Sequence, residues 1–156
     1  MSKFMGIALK EAEKAFTKGE VPVGAVIVRN GEVISKAHNQ VEEKSDSTMH
    51  AEIIAIKDAM KKIGTKRLTG CSMYVTLEPC AMCAGAMVLS RIDNLFYGAD
   101  DPKAGACTSV LNVTSNEKLN HRVCVKSGIM EEECSKILSD FFKNIRNQKM
   151  KSEDIK

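Results

Sequence analysis

Two short pieces of the chain carry residue types that could hold a metal and move a proton: His50-Ala51-Glu52 and Pro79-Cys80-Ala81-Met82-Cys83. Zinc prefers nitrogen and sulfur donors, and a catalytic site uses three of them with the fourth position left to water. His50, Cys80 and Cys83 supply one imidazole and two thiolates. The spacing of Cys80 and Cys83 lets one helical turn aim both at a single point. A thiol in the first turn also sits at the positive end of the helix dipole, which favours the thiolate that binds metal. Glu52 follows His50 too closely for both to reach one metal easily from the same turn, so it reads as a proton carrier. Two thiolates already neutralise a zinc ion, so water bound there is less acidic than in a three-histidine site. A nearby carboxylate can take the water's proton and return it to a ring nitrogen and then to departing ammonia. The chemistry these residues support is hydrolytic deamination.

Two other uses of the same residues are weaker. Redox C-x-x-C pairs usually have Pro between the cysteines, whereas Pro79 stands before them. A closed structural zinc site needs a fourth Cys or His. Cys71, His38 and His121 are candidates, and none belongs to a second paired knuckle.

Both pieces are placed to open helices. Ile53, Ile54, Ile56, Ala59 and Met60 follow His50 at helical spacing, and Met82, Ala86, Met87 and Leu89 follow Pro79. Pro79 suits the first turn of its helix, and Gly64 suits the stop of the other. Upstream, Phe4 to Lys18 reads as an amphipathic helix closed by Gly19. Val23 to Val28 is an unbroken apolar run, as expected for a strand covered on both faces. Asn30-Gly31 is a hairpin signal, with Glu32 to Ala37 as the return strand. His38 to Met49 is polar and turn-rich, and Asn39 within it carries an amide suited to a purine edge or to a turn or cap. Further strands are expected at Cys71–Thr76, Asn94–Tyr97 and Val123–Lys126. Thr108 to Val113 is expected to hold a turn of helix, and a last helix to run from Glu131 to about Ile145. This order predicts an α/β fold of three layers, α/β/α, with a five-stranded mixed sheet and helices on both faces. Right-handed crossovers then bring the two metal-binding helix starts together at one end of the sheet.

The length of 156 residues suits one domain. Residues 1–146 read as the zinc-dependent deaminase domain, and 147–156 as a basic tail expected to fray. No apolar run approaches a membrane span, and Met1-Ser2-Lys3-Phe4 lacks the apolar block of a secretory signal, so a cytoplasmic location is expected. The cysteines outside the motif (Cys71, Cys107, Cys124, Cys134) then read as buried thiols. The formal charge is +3, and the stretch from Phe141 to Lys156 carries that whole excess. Such a basic helix is a footprint for nucleic acid or a solvated helix end whose cations favour the dipole.

His-x-Glu followed by Pro-Cys-x-x-Cys is the pattern of zinc deaminases that act on bases. Further stretches are Val21-Pro22-Val23-Gly24-Ala25-Val26, Cys83-Ala84-Gly85-Ala86-Met87, Asp101-Pro102-Lys103-Ala104-Gly105, Asn120-His121-Arg122-Val123 and Ser139-Asp140-Phe141-Phe142. With them, the chain from about Phe4 to Arg146 resembles the bacterial tRNA-specific adenosine deaminases of the cytidine deaminase-like superfamily. The resemblance implies conversion of the wobble adenosine of a tRNA anticodon to inosine. It implies a homodimer with one zinc ion per subunit and the anticodon stem-loop as partner. It implies Glu52 as the proton shuttle and Asn39, Val26, Ala51 and Pro79 at the substrate. Lys103, Asn112, Phe142 and Arg146 are implied as RNA contacts. The alternatives are a deaminase of a free base or nucleotide, which needs no basic aromatic terminal helix, and a non-catalytic RNA-binding protein, which would not need Glu52.

Overall fold

The computed structural model describes residues 1–155. The chain opens with α1 (Ser2–Thr17), whose buried Met5, Ala8, Ala12 and Ala15 recur at helical spacing. Small residues on that face let the helix lie close on the sheet. The contact is tightest at Gly24, where a Cβ would run into the Ala8 carbonyl. β1 (Gly24–Arg29) is buried at every position before Arg29. It turns at Asn30-Gly31, both with positive φ, into β2 (Glu32–His38). The loop expected after β2 contains one turn of helix, α2 (Val41–Lys44), which polar composition alone concealed. α3 (Ala51–Ile63) ends at Gly64 with φ 79°, as its position suggested. β3 (Cys71–Leu77), α4 (Ala81–Ser90) and β4 (Asn94–Ala99) follow, and then β5 (Cys124–Lys126) and α5 (Glu131–Glu153).

The strand order is β2-β1-β3-β4-β5. β1 runs antiparallel to both β2 and β3, while β3, β4 and β5 are parallel, so the sheet is mixed. Successive residues of β1 serve opposite faces. Ala25 and Ile27 pack with Ala55 and Ala59 of α3 and Met87 of α4. Val26 and Val28 pack with Met5 and Ala8 of α1, Tyr74, and Cys134 of α5. The expected three-layer arrangement is therefore present. At the end of β2, buried His38 meets the Glu11 carboxylate at 3.1 Å, and Lys14 meets the same carboxylate at 3.1 Å. Burial alone would raise Glu11, but these two partners hold its carboxyl below the usual value.

Several local expectations are corrected. Pro79 lies one residue outside the N-cap, Cys80, rather than in the first turn of α4. No helix forms at Thr108–Val113: the Thr108 and Ser109 amides meet a buried carboxylate described below, and those of Val110, Leu111 and Val113 reach back to the Gly105 and Ala106 carbonyls. Cys124 is exposed. α5 does not stop near Ile145 but continues through Gln148 to Glu153, since no Gly or Pro interrupts good helix formers. The frayed tail expected at 147–156 is thus helical to Glu153, and Lys156 lies outside the described residues.

Candidate active site

The ligand geometry starts from two helix ends. His50 is the N-cap of α3 and Cys80 the N-cap of α4, both with extended backbone, and Cys83 lies in the first turn of α4. His50 Nδ1 is 3.6 Å from Cys80 Sγ and 3.6 Å from Cys83 Sγ. Zinc bond lengths of about 2.0–2.1 Å to nitrogen and 2.3 Å to sulfur give a tetrahedral N···S edge of about 3.6 Å. The residues therefore fit a metal held by one imidazole and two thiolates. All three donor atoms lie within 4.8 Å of one another.

Donation from Cys83, assisted by His50, lowers Cys80 to about 3, whereas that same donation and burial push Cys83 up. His50 is raised, first by its hydrogen bond with Cys80. Glu52 sits in the first turn of α3, 4% exposed. Burial pushes its carboxyl up, against smaller opposing effects from a backbone amide and His50. A buried carboxyl raised in this way is suited to taking up a proton from a neighbouring group.

Glu78, the last residue before Pro79, was not singled out by the sequence, since a glutamate ending a strand carries no motif signal. It is 2% exposed. Its carboxylate accepts the backbone N–H groups of Asp101 (3.1 Å), Cys107 (3.2 Å), Thr108 (2.9 Å) and Ser109 (3.0 Å), and the Ser109 hydroxyl as well. Burial opposes the charge, but the Ser109 hydroxyl and these amides outweigh it and hold the carboxyl at about 2. A Cβ on Gly105 would collide with this carboxylate. Glu78 thereby gathers the loop after β4 against the start of α4.

A cavity of about 440 Å³ opens over the cluster and is lined by His50, Glu52, Cys80, Val23, Asn39 and Phe142 among others. Asn39 is held at both ends: its N–H donates to the Val23 carbonyl (3.2 Å), and its Oδ1 accepts the Ala51 N–H (2.8 Å). This leaves the amide nitrogen as the end available to a ligand. Asn39 therefore satisfies the first amide of α3 and also lines the cavity. The other three residues implied at the substrate do not line it. Val26 is fully buried on the α1 side of the sheet, and Val23 lines the cavity in its place. Ala51 contributes its backbone N–H to Asn39, and Pro79 is buried with its carbonyl bonded to Ala106 (2.8 Å).

Of the RNA candidates, Lys103, Phe142 and Arg146 line one groove of about 580 Å³. That groove shares Val21, Leu77, Asp101, Ala104, Phe142 and Ile145 with the cavity. Asn112 is not part of it, and its Oδ1 accepts the Ser115 N–H at 3.1 Å.

A three-layer α/β/α fold with one His and two Cys at adjoining helix starts, able to hold a metal ion, and a buried glutamate beside them, is the arrangement of a deaminase. The profile of the MafB19-like deaminases matches residues 1–146. The chain is 55% identical over 144 residues to the tRNA-specific adenosine deaminase of Aquifex aeolicus (strain VF5), covering 92% of this chain and 95% of that one. It is 51% identical over 146 residues to the tRNA-specific adenosine deaminase of Bacillus subtilis (strain 168), covering 94% and 91%. A solved structure from studies of A-to-I editing by tRNA deaminases at the wobble position superposes with a TM-score of 0.86 at 46% identity, over 88% of this chain and 100% of that one. The guanine deaminase of Nitrosomonas europaea, at 22% identity and a TM-score of 0.79, covers 90% of this chain and 83% of that one and shares the fold alone. The chain belongs to the MafB19-like deaminases and to the family of tRNA-specific adenosine deaminases.

Proposed function

We propose that the protein hydrolyses the wobble adenosine of a tRNA anticodon to inosine and ammonia, with one zinc ion per subunit. The observation that carries this is the His50, Cys80, Cys83 cluster with buried Glu52, in a cavity continuous with a groove lined by Lys103, Phe142 and Arg146. A free base would need the cavity but not the groove. An anticodon loop uses both, with one flipped base in the cavity and flanking phosphates and bases along the groove.

His50, Cys80 and Cys83 would hold the zinc ion, which would supply Lewis-acid chemistry towards water at neutral pH. The remaining steps belong to the chain. Asn39 presents its amide nitrogen to an acceptor on the purine edge and so orients C6 towards the cluster. A Glu52 carboxylate oxygen takes one proton from the attacking water and passes it to N1 as the C6–O bond forms. Glu52 then carries the second proton from that oxygen to the exocyclic amine, and the C6–N bond breaks to release ammonia. Burial of Glu52 suits the first transfer, because it raises the carboxyl and so strengthens the carboxylate as a proton acceptor.

Residues 1–146 are proposed as the deaminase domain, with α5 continuing past it to Glu153 into a basic tail. A cytoplasmic location follows from a tRNA substrate; among the described residues no helix is long and apolar enough to cross a membrane. Homodimerisation is supported by apolar side chains that one chain leaves uncovered: Leu89 on α4 is 81% exposed, with Met82 at 37% and Leu111 at 51%. Leu89→Glu is expected to shift the protein from dimer to monomer in light scattering at micromolar concentration. An unchanged mass would remove this face from the interface.

The reaction is tested by offering the zinc protein a wobble-adenosine anticodon stem-loop beside free adenosine, cytidine, cytosine and guanine. Inosine in the stem-loop alone is expected, with binding that weakens steeply as salt rises. Product from a free base or nucleoside only would return the groove to solvent.

A further inference from the structure

The loop before β1 and the loop after β2 both line the cavity, and one buried carboxylate joins them. Gly19, at φ 74°, turns the chain out of α1, and the Glu20 N–H bonds back to the Ala15 carbonyl at 3.0 Å. The Glu20 side chain, 1% exposed, then reaches across. One carboxylate oxygen accepts the Glu42 N–H at 2.8 Å and the other the Glu43 N–H at 2.9 Å. These are first-turn amides of α2, which no helix satisfies internally. A single turn is also too short to be stable by itself, and its N-cap Gln40 makes no side-chain capping bond. Glu20 therefore does for α2 what its own sequence does not.

The consequences for the site are selective. Asn39 has separate anchors at Val23 and Ala51, and the Gln40 N–H closes the neck of the loop on the Met49 carbonyl at 3.0 Å. Only the segment between, including cavity-lining Val41 and Glu42, depends on Glu20. We propose that Glu20 is a positioning residue for RNA entry. Its two oxygens are taken up by the α2 amides, so it presets the part of the cavity wall that receives nucleotides beside the reacting base. This rests on the tRNA reading above.

The test compares zinc-loaded wild type, Glu20→Ala and Glu20→Gln in steady-state deamination of the wobble-adenosine stem-loop, with amide hydrogen exchange on the same proteins. Glu20→Ala is expected to raise KM about tenfold while kcat stays within about threefold, because the wall disorders before binding and the base is still held by Asn39. Exchange should quicken at residues 41–48 and not at the starts of α3 and α4. Glu20→Gln keeps one acceptor oxygen and should fall between the two. Unchanged exchange at 41–48 overturns the proposal. So does a uniform loss, with kcat, zinc content and melting temperature falling together while KM holds. If Glu20→Ala does not fold, Glu20→Gln carries the same comparison with the smaller change. If the wild type makes no inosine while exchange still quickens in the variant, the tRNA reading fails and with it the RNA role of the tether, although the tether itself stands.

Discussion

Glu52→Ala abolishes inosine formation and leaves zinc in place. The expected fall in kcat is at least about a thousandfold, since one group serves both proton transfers and general acid–base catalysis commonly contributes about a hundred- to ten-thousandfold for a single role. Zinc content should be unchanged, because on the proposed reading His50, Cys80 and Cys83 would hold the metal without Glu52, with both sulfurs 3.6 Å from His50 Nδ1. Glu52 is 4% exposed, so truncation to Ala leaves a small void in the site. Glu52→Gln keeps the shape, removes the proton-carrying carboxylate, and should be as inactive. The decisive pair of measurements is metal content by atomic absorption and inosine by mass spectrometry. Loss of zinc together with activity would make Glu52 a ligand and remove the proton carrier from the mechanism. Retention of more than about a tenth of the activity in Glu52→Gln would pass the proton transfers to another group.

The part of this site that could be read from the sequence is the part built on short-range geometry. Histidine and glutamate two apart, or cysteines three apart beside a proline, constrain one another within a single turn. The residues alone therefore announce both chemistry and helix start, and His50 and Cys80 do stand at the caps. The sheet was equally legible, because the unbroken apolar run of β1 and the Asn30-Gly31 turn have few alternatives. The site's supports were not legible. Glu78 takes its partners from residues 101–109 and Glu20 from residues 42 and 43. A carboxylate that serves distant backbone amides looks, in one dimension, like any surface acid. Thr108 to Val113 is not a helix for a related reason: its later amides, from Val110, Leu111 and Val113, bond back to the Gly105 and Ala106 carbonyls, a turn that residue types alone did not announce. Val26 marks a different limit. In a strand buried on both faces, apolar character does not say which face a residue serves, and Val26 serves α1.

Glu78→Ala should be the most destabilising single change in the loop after β4. It strands the four backbone N–H groups that the carboxylate now accepts. Hydrogen bonds to a charged group contribute about 1.5–3 kcal/mol each, but the loop can relax into water, so a net loss of about 3 kcal/mol is expected. For a chain of this size that corresponds to a fall in melting temperature of about 10 °C. Activity should fall as well, because the loop places Asp101 and Ala104 at the cavity and Lys103 at the groove. A drop in stability alone would not prove that the carboxylate organises the loop, and Gly105 provides the sharper test. A Cβ there meets the Glu78 carboxyl group and nothing nearer. Gly105→Ala should therefore destabilise the wild type strongly and the Glu78→Ala protein hardly at all, since the obstacle has been removed. The two changes share one physical cause, and their combined cost should be well below the sum of the separate costs. If Gly105→Ala costs the same in both backgrounds, the carboxylate is not what closes that space. The loop would then owe its shape to its own turns, and Glu78 would be one satisfied acid among several.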